Sequence, residues 1–162
     1  MNKTFPFPLD LSEQGIGFRP AEEADIPFLL DLRYETMGPH IGASGVIHSE
    51  QDYLDRVLVS FELAWILQHE GRPAGLIKVS REGLAWELKQ IQLGPVLQGQ
   101  GLGRRIIEAL LAEAVRCGAR VSLEVFKVNP ARKLYERLGF SIVGEHGALY
   151  EMEFEAPGCE KN

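Results

Sequence analysis

The stretch VLQGQGLGRR, residues 96–105, contains three glycines and separates an apolar segment from an amphipathic one. Glycine at this density costs backbone entropy, so we expect the stretch to use positive φ angles or exposed backbone amides. Residues 84–93 have the apolar content of a strand, and residues 104–117 repeat apolar side chains at helical spacing up to Gly118. The sequence therefore predicts a strand, a glycine-rich loop and a helix in succession.

This arrangement favours phosphate binding, because the first N–H groups of a helix lack intrahelical partners and carry positive potential. A tight turn that only needs positive φ is the competing interpretation. The dinucleotide fingerprint G-x-G-x-x-G does not fit, because Arg104 or Ile106 falls at its last glycine, and the Lys-Ser/Thr pair of a Walker A loop is absent. The stretch matches Q-x-x-G-x-G instead, from Gln98 to Gly103.

Composition indicates one globular domain: the chain has 162 residues, of which 45% are hydrophobic and 25% charged. We expect an N-terminal arm over residues 1–15, a single domain over 16–156 and a C-terminal tail over 157–162. No apolar run is long enough to cross a bilayer, and the first residues lack the apolar centre of a secretion signal. These features predict a cytoplasmic protein without a membrane partner.

Charge and cysteine content disfavour further classes of protein. The net charge of −6 disfavours a protein that wraps nucleic acid, which normally needs a clustered basic face. Cys117 and Cys159 lie far apart in the sequence, so neither a disulfide framework nor a metal cluster is predicted. Short basic pairs such as Arg104-Arg105 are either solvated helix ends or contacts to a bound polyanion.

Hydrophobic periodicity predicts the first half of the chain as a strand followed by two helices. The strand covers residues 16–20, and Asp25 is expected to cap the N-terminus of the first helix. Residues 38–49 are rich in turn formers and are predicted as a loop. Ser49, with Asp52 three residues later, resembles a capping box for a short helix from about 50 to 58.

The rest of the chain is predicted as strands with two helices among them. Turn sequences separate three strands of an antiparallel meander, and Asn129-Pro130 begins the last helix. The expected class is α/β with a mixed (α+β) sheet. The predicted strands are 61–69, 73–81, 84–93, 121–126, 140–145 and 149–154, and the helices are 104–117 and 130–138.

Two motifs together resemble the GCN5-related N-acetyltransferase (GNAT) family. The Gln98–Gly103 stretch is similar to the family's [QR]-x-x-G-x-[GA] loop, which holds the pyrophosphate of acyl-CoA. VNPARKLYERLGF, residues 128–140, resembles its N-x-x-A-x-x-L-Y-x-x-x-G-F segment, with Ala131 one place earlier than in that pattern. The resemblance covers about residues 84–145 and implies a GNAT-like acyl-CoA N-acyltransferase fold: a mostly antiparallel sheet with a splayed strand and flanking helices.

The resemblance implies acetyl-CoA (coenzyme A) as co-substrate and no metal. The splayed strand would pair with the pantetheine arm, the loop amides would face the pyrophosphate, and basic side chains would meet phosphate charge. Capping of the last helix is an alternative sole role for Asn129. The residues implied in binding are Ile91, Gln92, Leu93, Gln98, Gly99, Gln100, Gly101, Leu102, Gly103, Arg104, Asn129 and Arg132.

The same resemblance assigns proton transfer to two side chains. Tyr135 would protonate the departing thiolate, although a tyrosine in this helix could also serve only core packing. Glu87 would accept the proton of the amine, with Glu124 in reserve and an exposed strand carboxylate as the competing interpretation. The implied reaction is direct acetyl transfer to a primary amine in a ternary complex.

The acceptor is the least determined part of the prediction. In similar enzymes the first helices and their loop form the wall of the acceptor site. The sequence leaves a small-molecule amine, a peptide N-terminus and a protein lysine open as acceptors. A catalytically silent acyl-CoA-binding or sensor domain is the alternative function, and a monomer and a homodimer are both open. The residues at that wall are Arg33, Tyr34, Glu35, Thr36, Met37, His40 and His48, of which Arg33, Glu35, Met37 and His40 are the predicted substrate contacts.

Overall fold

The computed structural model describes residues 3–157, which form a seven-stranded sheet and four α-helices. None of these helices is both long enough and apolar enough to cross a lipid bilayer. The strands are β1 (Ile16–Pro20), β2 (Ala64–His69), β3 (Arg72–Glu82), β4 (Ala85–Leu93), β5 (Arg120–Phe126), β6 (Ser141–His146) and β7 (Leu149–Glu155). The helices are α1 (Ile26–Ala43), α2 (Glu50–Leu58), α3 (Leu102–Cys117) and α4 (Ala131–Arg137).

The sheet is antiparallel except at its centre. Its strand order is β1-β2-β3-β4-β5-β7-β6, and only β4 and β5 run parallel. These two strands pair over Ala85–Glu87 and Arg120–Ser122, and no pairing between them continues beyond this point in the described chain. The sheet therefore opens between β4 and β5, as expected for a mostly antiparallel α/β sheet with a splayed strand.

A β-bulge on β4 decides which side chains face each side of the sheet. Lys78 of β3 pairs with Gln90, but the next residue of β3 pairs with Leu88, so Lys89 is the extra residue. Trp86 and Leu88 contact the same core as Ile91 and Leu93. The bulge therefore shifts the alternation by one place, so that Gln92 is on the opposite side from that core.

Two apolar layers enclose the sheet. One face packs against α3 and α4, with Ile106 and Leu110 of α3 fully buried there. The other face packs against α1 and α2, through Leu29 and Leu32 of α1 and Val57 of α2. The splayed opening between β4 and β5 thus lies between helices on both sides of the sheet.

The N-terminal residues contact the α3 side of the sheet. Phe5 packs against Phe18 and Trp65, with ring centroids 4.2 and 5.4 Å apart. Phe7 and Leu11 are buried in the same core. Of the predicted tail over 157–162, only Pro157 is among the described residues, and Cys159 lies outside them.

The first helix differs from its prediction in two ways. It continues to Ala43, so the predicted loop over 38–49 is wrong for residues 38–43. Ile41 explains the difference, because it is buried in a cluster with Tyr53 and Phe126. Asp25 directly precedes α1, but its carboxylate makes no bond to that helix.

Asp25 instead holds the chain that enters α1. Its two carboxylate oxygens each accept a 2.8 Å hydrogen bond from the guanidinium of Arg19, and Oδ2 also accepts one of 2.7 Å from the N–H of Glu22. The hydrogen bonds from Arg19 lower the pKa of Asp25, despite the opposing effect of burial. The second helix agrees with its prediction, since Ser49 and Asp52 form the expected capping box.

Candidate active site

The separation of β4 from β5 creates a cleft of about 190 Å³ between the two strands and the α1–α2 wall. It brings together residues that are far apart in the sequence, from α1 at one end to α4 at the other. The predicted site residues that line it are Arg33, Met37, Glu87, Ile91, Gln92, Asn129 and Tyr135, together with His48 and Glu124.

Other predicted residues lie outside the lining of this cleft. Glu35 is exposed on α1, and His40 is half-buried one turn later on the same helix. Leu93 packs against the α3 side of the sheet, and Arg132 is on α4. The glycine loop, residues 98–104, follows the end of β4 and continues into α3.

The glycine loop presents a run of unpaired backbone amides. Within residues 3–157, none of the N–H groups from Gly99 to Arg104 donates to a protein acceptor, whereas that of Arg105 donates to the Gly101 carbonyl at 3.1 Å. Gly99 and Gly101 have φ angles of +76° and +71°, and open space surrounds the position that a Cβ would take at either residue. The loop therefore has both the conformation and the free donors of an anion site.

Side-chain amides tie this loop to the end of β4 and to the turn that follows it. Gln98 donates from Nε2 to the carbonyl oxygen of Leu93 at 2.8 Å, which ties the loop to the end of β4. Gln100 donates in the same way to Val96, also at 2.8 Å. These bonds hold the free amides in place without any ligand.

The basic side chains near the loop differ in their pairing. Arg104 pairs with Glu108 one turn along α3. Arg132 pairs with Glu136 at 2.8 Å and lies over the ring of Tyr150. Arg105, in contrast, forms no ion pair with another residue of the described chain and is exposed beside the free amides.

Tyr135 combines burial with access to the cleft. The residue is 8% exposed, its ring packs edge-on against Phe140, and its hydroxyl has no hydrogen-bond partner among residues 3–157. Burial raises the pKa of Tyr135 to about 12. The hydroxyl therefore keeps its proton throughout the neutral range and is available as a donor.

Asn129 lies two residues before α4, the helix that carries Tyr135. Its Oδ1 accepts a 2.9 Å hydrogen bond from the N–H of Ala131, the first residue of α4, although the residue at the N-cap position is Pro130. Its Nδ2 makes no hydrogen bond within the described part of the chain, and the residue lines the cleft. Asn129 thus has a donor left for a ligand.

Two carboxylates border the cleft on its two strands. Glu87 lies on β4 at the last pair before the strands separate, opposite Ser122. Its Oε1 accepts a 3.1 Å hydrogen bond from the Nζ of Lys89, with which it forms an ion pair. Glu124 lies on β5 and is exposed.

The described residues contain no group of three or more His, Cys, Asp or Glu side chains that could hold a metal ion.

Sequence reasoning missed three basic residues that line the cleft, namely Arg56, Lys78 and Lys89. Lys78 is fully buried on β3 and lines the cleft, as do Arg56 at the end of α2 and Lys89. Burial is the main cause that lowers the pKa of Lys78 to about 8. A lone charged residue within the apolar run Leu76–Val79 was the available signal, since lysine is rarely buried without a specific partner.

Comparison with known proteins agrees with this architecture. Residues 28–140 match the family model described as Acetyltransferase (GNAT) family. The 5-NmdU N-acetyltransferase of Pseudomonas phage PaMx11 is 33% identical over 104 residues, covering 59% of this chain and 73% of that protein. The chain therefore belongs to the acetyltransferase (GNAT) family, and it is an acyl-CoA-dependent N-acetyltransferase.

Solved structures show the same fold at low sequence identity. The PaiA N-acetyltransferase of Thermoplasma acidophilum, in complex with coenzyme A, has a TM-score of 0.65 at 17% identity over 86% of this chain and 98% of that chain. The ribosomal-protein-S18-alanine N-acetyltransferase of Escherichia coli has a TM-score of 0.62 at 22% identity over 91% and 97%. These likenesses confirm the expected fold.

Proposed function

We propose that this protein transfers an acetyl group from acetyl-CoA to a primary amine, directly and with both substrates bound at once. One observation carries the proposal: the N–H groups from Gly99 to Arg104 are unpaired in a loop that is already held in place. Acetyl-CoA supplies an activated thioester, and the protein supplies its binding, orientation and proton transfer.

The loop fits the diphosphate of coenzyme A. Successive amides at the start of α3 can donate to several phosphate oxygens, and the helix dipole adds positive potential there. Arg105 is exposed beside them and lacks an ion-pair partner among the described residues, so its charge can face a phosphate. We therefore place the diphosphate at Gly99–Arg104, with Arg105, the next residue in sequence, as a cation available to it.

The open edge of β4 fits the pantetheine arm. Beyond Glu87 this edge has no strand partner within residues 3–157, although β4 continues to Leu93. An amide-bearing chain can pair with such an edge as an added strand would. The free Nδ2 of Asn129, across the cleft, offers a further donor to the same arm.

Two side chains that line the cleft then transfer the protons of the reaction. Tyr135 keeps its proton at neutral pH and donates it to the departing sulfur. Glu87 accepts the proton that the attacking amine must lose, and Glu124 is the alternative acceptor. Direct transfer agrees with the position of Cys117, whose Sγ contacts Arg81 and Arg116 at the end of α3, outside the cleft lining.

The experiment is an acetyl-CoA assay with free-thiol detection over a broad panel of amines. The panel includes 5-NmdU, because the phage relative is a 5-NmdU N-acetyltransferase. The wild type is expected to release thiol with at least one amine. Gly101→Val is expected to abolish coenzyme A binding by filling the space beside the amides. Gly147→Val is the matched control, since Gly147 also has positive φ and open surroundings but lies in the β6–β7 turn.

Three results would contradict parts of the proposal. Coenzyme A binding without thiol release from any amine would indicate a silent acyl-CoA-binding domain. Unchanged coenzyme A binding in Gly101→Val would refute the placement of the diphosphate. Equal loss in Gly101→Val and Gly147→Val would attribute the effect to backbone strain instead of to the site.

A further inference from the structure

Unpaired buried polar atoms concentrate in one place. Among residues 3–157, the buried side-chain nitrogen and oxygen atoms without a hydrogen-bond partner are Nε of Arg33, Nδ1 of His48 and Oε1 of Gln92. All three residues line the same cleft. Because buried polar groups are nearly always paired in folded proteins, their coincidence at one site indicates that a ligand completes them.

Arg33 is the most informative of the three. It projects from α1, is 6% exposed, and its guanidinium makes no hydrogen bond or ion pair with any other described residue. An uncompensated buried charge is strongly unfavourable. Burial, with a smaller effect of Arg56, lowers the pKa of Arg33 to about 10, so the side chain is still charged at neutral pH. The cleft therefore contains a cation that lacks its counter-ion.

The other charged groups of the cleft do not supply that counter-ion. Lys89 pairs with Glu87 at 3.1 Å, and Lys78 is held by carbonyl oxygens of the α2 terminus. Arg56 forms no ion pair within the described chain, although it lines the cleft together with Arg33. Glu124, the remaining carboxylate, is on β5 and makes no ion pair with Arg33. Among the described residues that line the cleft, the positive charges of Arg33 and Arg56 thus remain without an ion-pair partner.

We propose that the acceptor is a small primary amine that carries an anionic oxygen group, carboxylate or phosphate, and that Arg33 binds this group. The inference rests on the proposed function and names the substrate class of the same site. Arg33 presents a planar set of donors suited to either anion, and Gln92 Oε1 accepts a hydrogen bond from an N–H of the same molecule. The cleft of about 190 Å³ must hold this amine beside the end of the pantetheine arm, which favours a small molecule.

The first test uses the wild type and matched pairs of amines. One pair is an amino acid and its carboxamide, and the other is phosphoethanolamine and ethanolamine, each assayed with acetyl-CoA. The anionic member is expected to have a kcat/KM at least about tenfold higher, as one charge-assisted contact provides. The pair that shows the difference identifies carboxylate or phosphate. Equal or better use of the neutral members would overturn the inference while leaving the proposed function intact.

The second test replaces the cation. Arg33→Met is expected to raise KM for the anionic amine about tenfold or more, with kcat and coenzyme A affinity little changed. Its melting temperature should rise, because an unpaired buried charge is removed. Arg72→Met, at an exposed position at the start of β3, is the control and should change neither the KM for the anionic amine nor the melting temperature.

A purely structural role for Arg33 predicts the opposite pattern. The melting temperature would then fall, and KM would change equally for both members of a pair, which would overturn the inference.

Calorimetric titration of the anionic amine into coenzyme A-saturated protein separates the two proposals. Binding in the wild type that weakens in Arg33→Met supports anion recognition even where no turnover occurs, whereas absent binding overturns it. Failure of the wild type to bind coenzyme A would count against the proposed function.

Discussion

The Nζ of Lys78 donates a 2.8 Å hydrogen bond to the carbonyl oxygen of Val57, which joins the middle of β3 to the last turn of α2. The same Nζ also donates to the carbonyl oxygens of Val59 at 2.7 Å and Arg56 at 3.2 Å. Lys78 therefore compensates its burial with three acceptors at the negative end of a helix. This contact fixes the wall of the cleft on the acceptor side.

Lys78→Met should lower the free energy of unfolding by about 3 kcal/mol, because the α2 carbonyls would remain buried without a donor. Urea denaturation measures the change. Lys89→Met, which removes only a partly exposed ion pair with Glu87, should cost less than about 1 kcal/mol. Similar losses in the two variants would show that the Lys78 contact does not stabilise the protein.

Tyr135→Phe should lower kcat by about a hundredfold or more, since loss of a positioned acid has an effect of this size. The affinity for coenzyme A should change little, because the ring and its packing against Phe140 are retained. Steady-state kinetics and calorimetric titration test the two parts separately. An unchanged kcat would remove the proton-donor role.

The buried hydroxyl of Tyr135 should also appear in the alkaline stability of the protein. Burial raises its pKa from 10.0 to about 12, so between these pH values the folded state binds more protons than the unfolded state. Stability therefore falls as pH rises through this window and is unaffected by this group below it. The wild type should lose up to about 3 kcal/mol more than Tyr135→Phe between pH 10 and 12. Parallel curves would show that the hydroxyl is hydrated.

Glu87→Gln should reduce kcat more than Glu124→Gln, because we assign proton acceptance to the carboxylate on β4. Both residues line the cleft, and each substitution keeps the side-chain size, so the pair is matched. Stopped-flow measurement of the acetyl-transfer step distinguishes them. The reverse order would assign the proton to Glu124, and equal small effects would assign it to water.

The glycine loop and the α4 segment could be predicted because their backbone requirements limit the residue types. Gly99 and Gly101 have the positive φ angles that only glycine adopts readily, and the Oδ1 of Asn129 accepts a hydrogen bond from the first N–H of α4. The end of α1 could not be predicted in this way. Pro39 and its neighbouring glycines favour a loop locally, but burial of Ile41 retains the helix.

The side chains that form the acceptor side of the cleft could not be predicted from the sequence, because tertiary contacts bring them together. Sequence showed Lys78 inside an apolar strand but not that α2 would end beside its amine. The bulge at Lys89 is also invisible to a period-two pattern, and it places Gln92 on the cleft side. Arg33 was predicted as a substrate contact, but its lack of any partner among residues 3–157 emerges only from the folded structure.

The free amides from Gly99 to Arg104 are expected to bind the diphosphate of coenzyme A. Proton–nitrogen NMR spectra of the labelled protein, titrated with coenzyme A and separately with pantetheine, test it most directly. We expect coenzyme A to shift these amide resonances strongly, and pantetheine, which lacks the diphosphate, to leave them nearly unchanged while it perturbs β4. Saturation with coenzyme A that leaves the resonances of residues 99–104 in place would show that the diphosphate binds elsewhere.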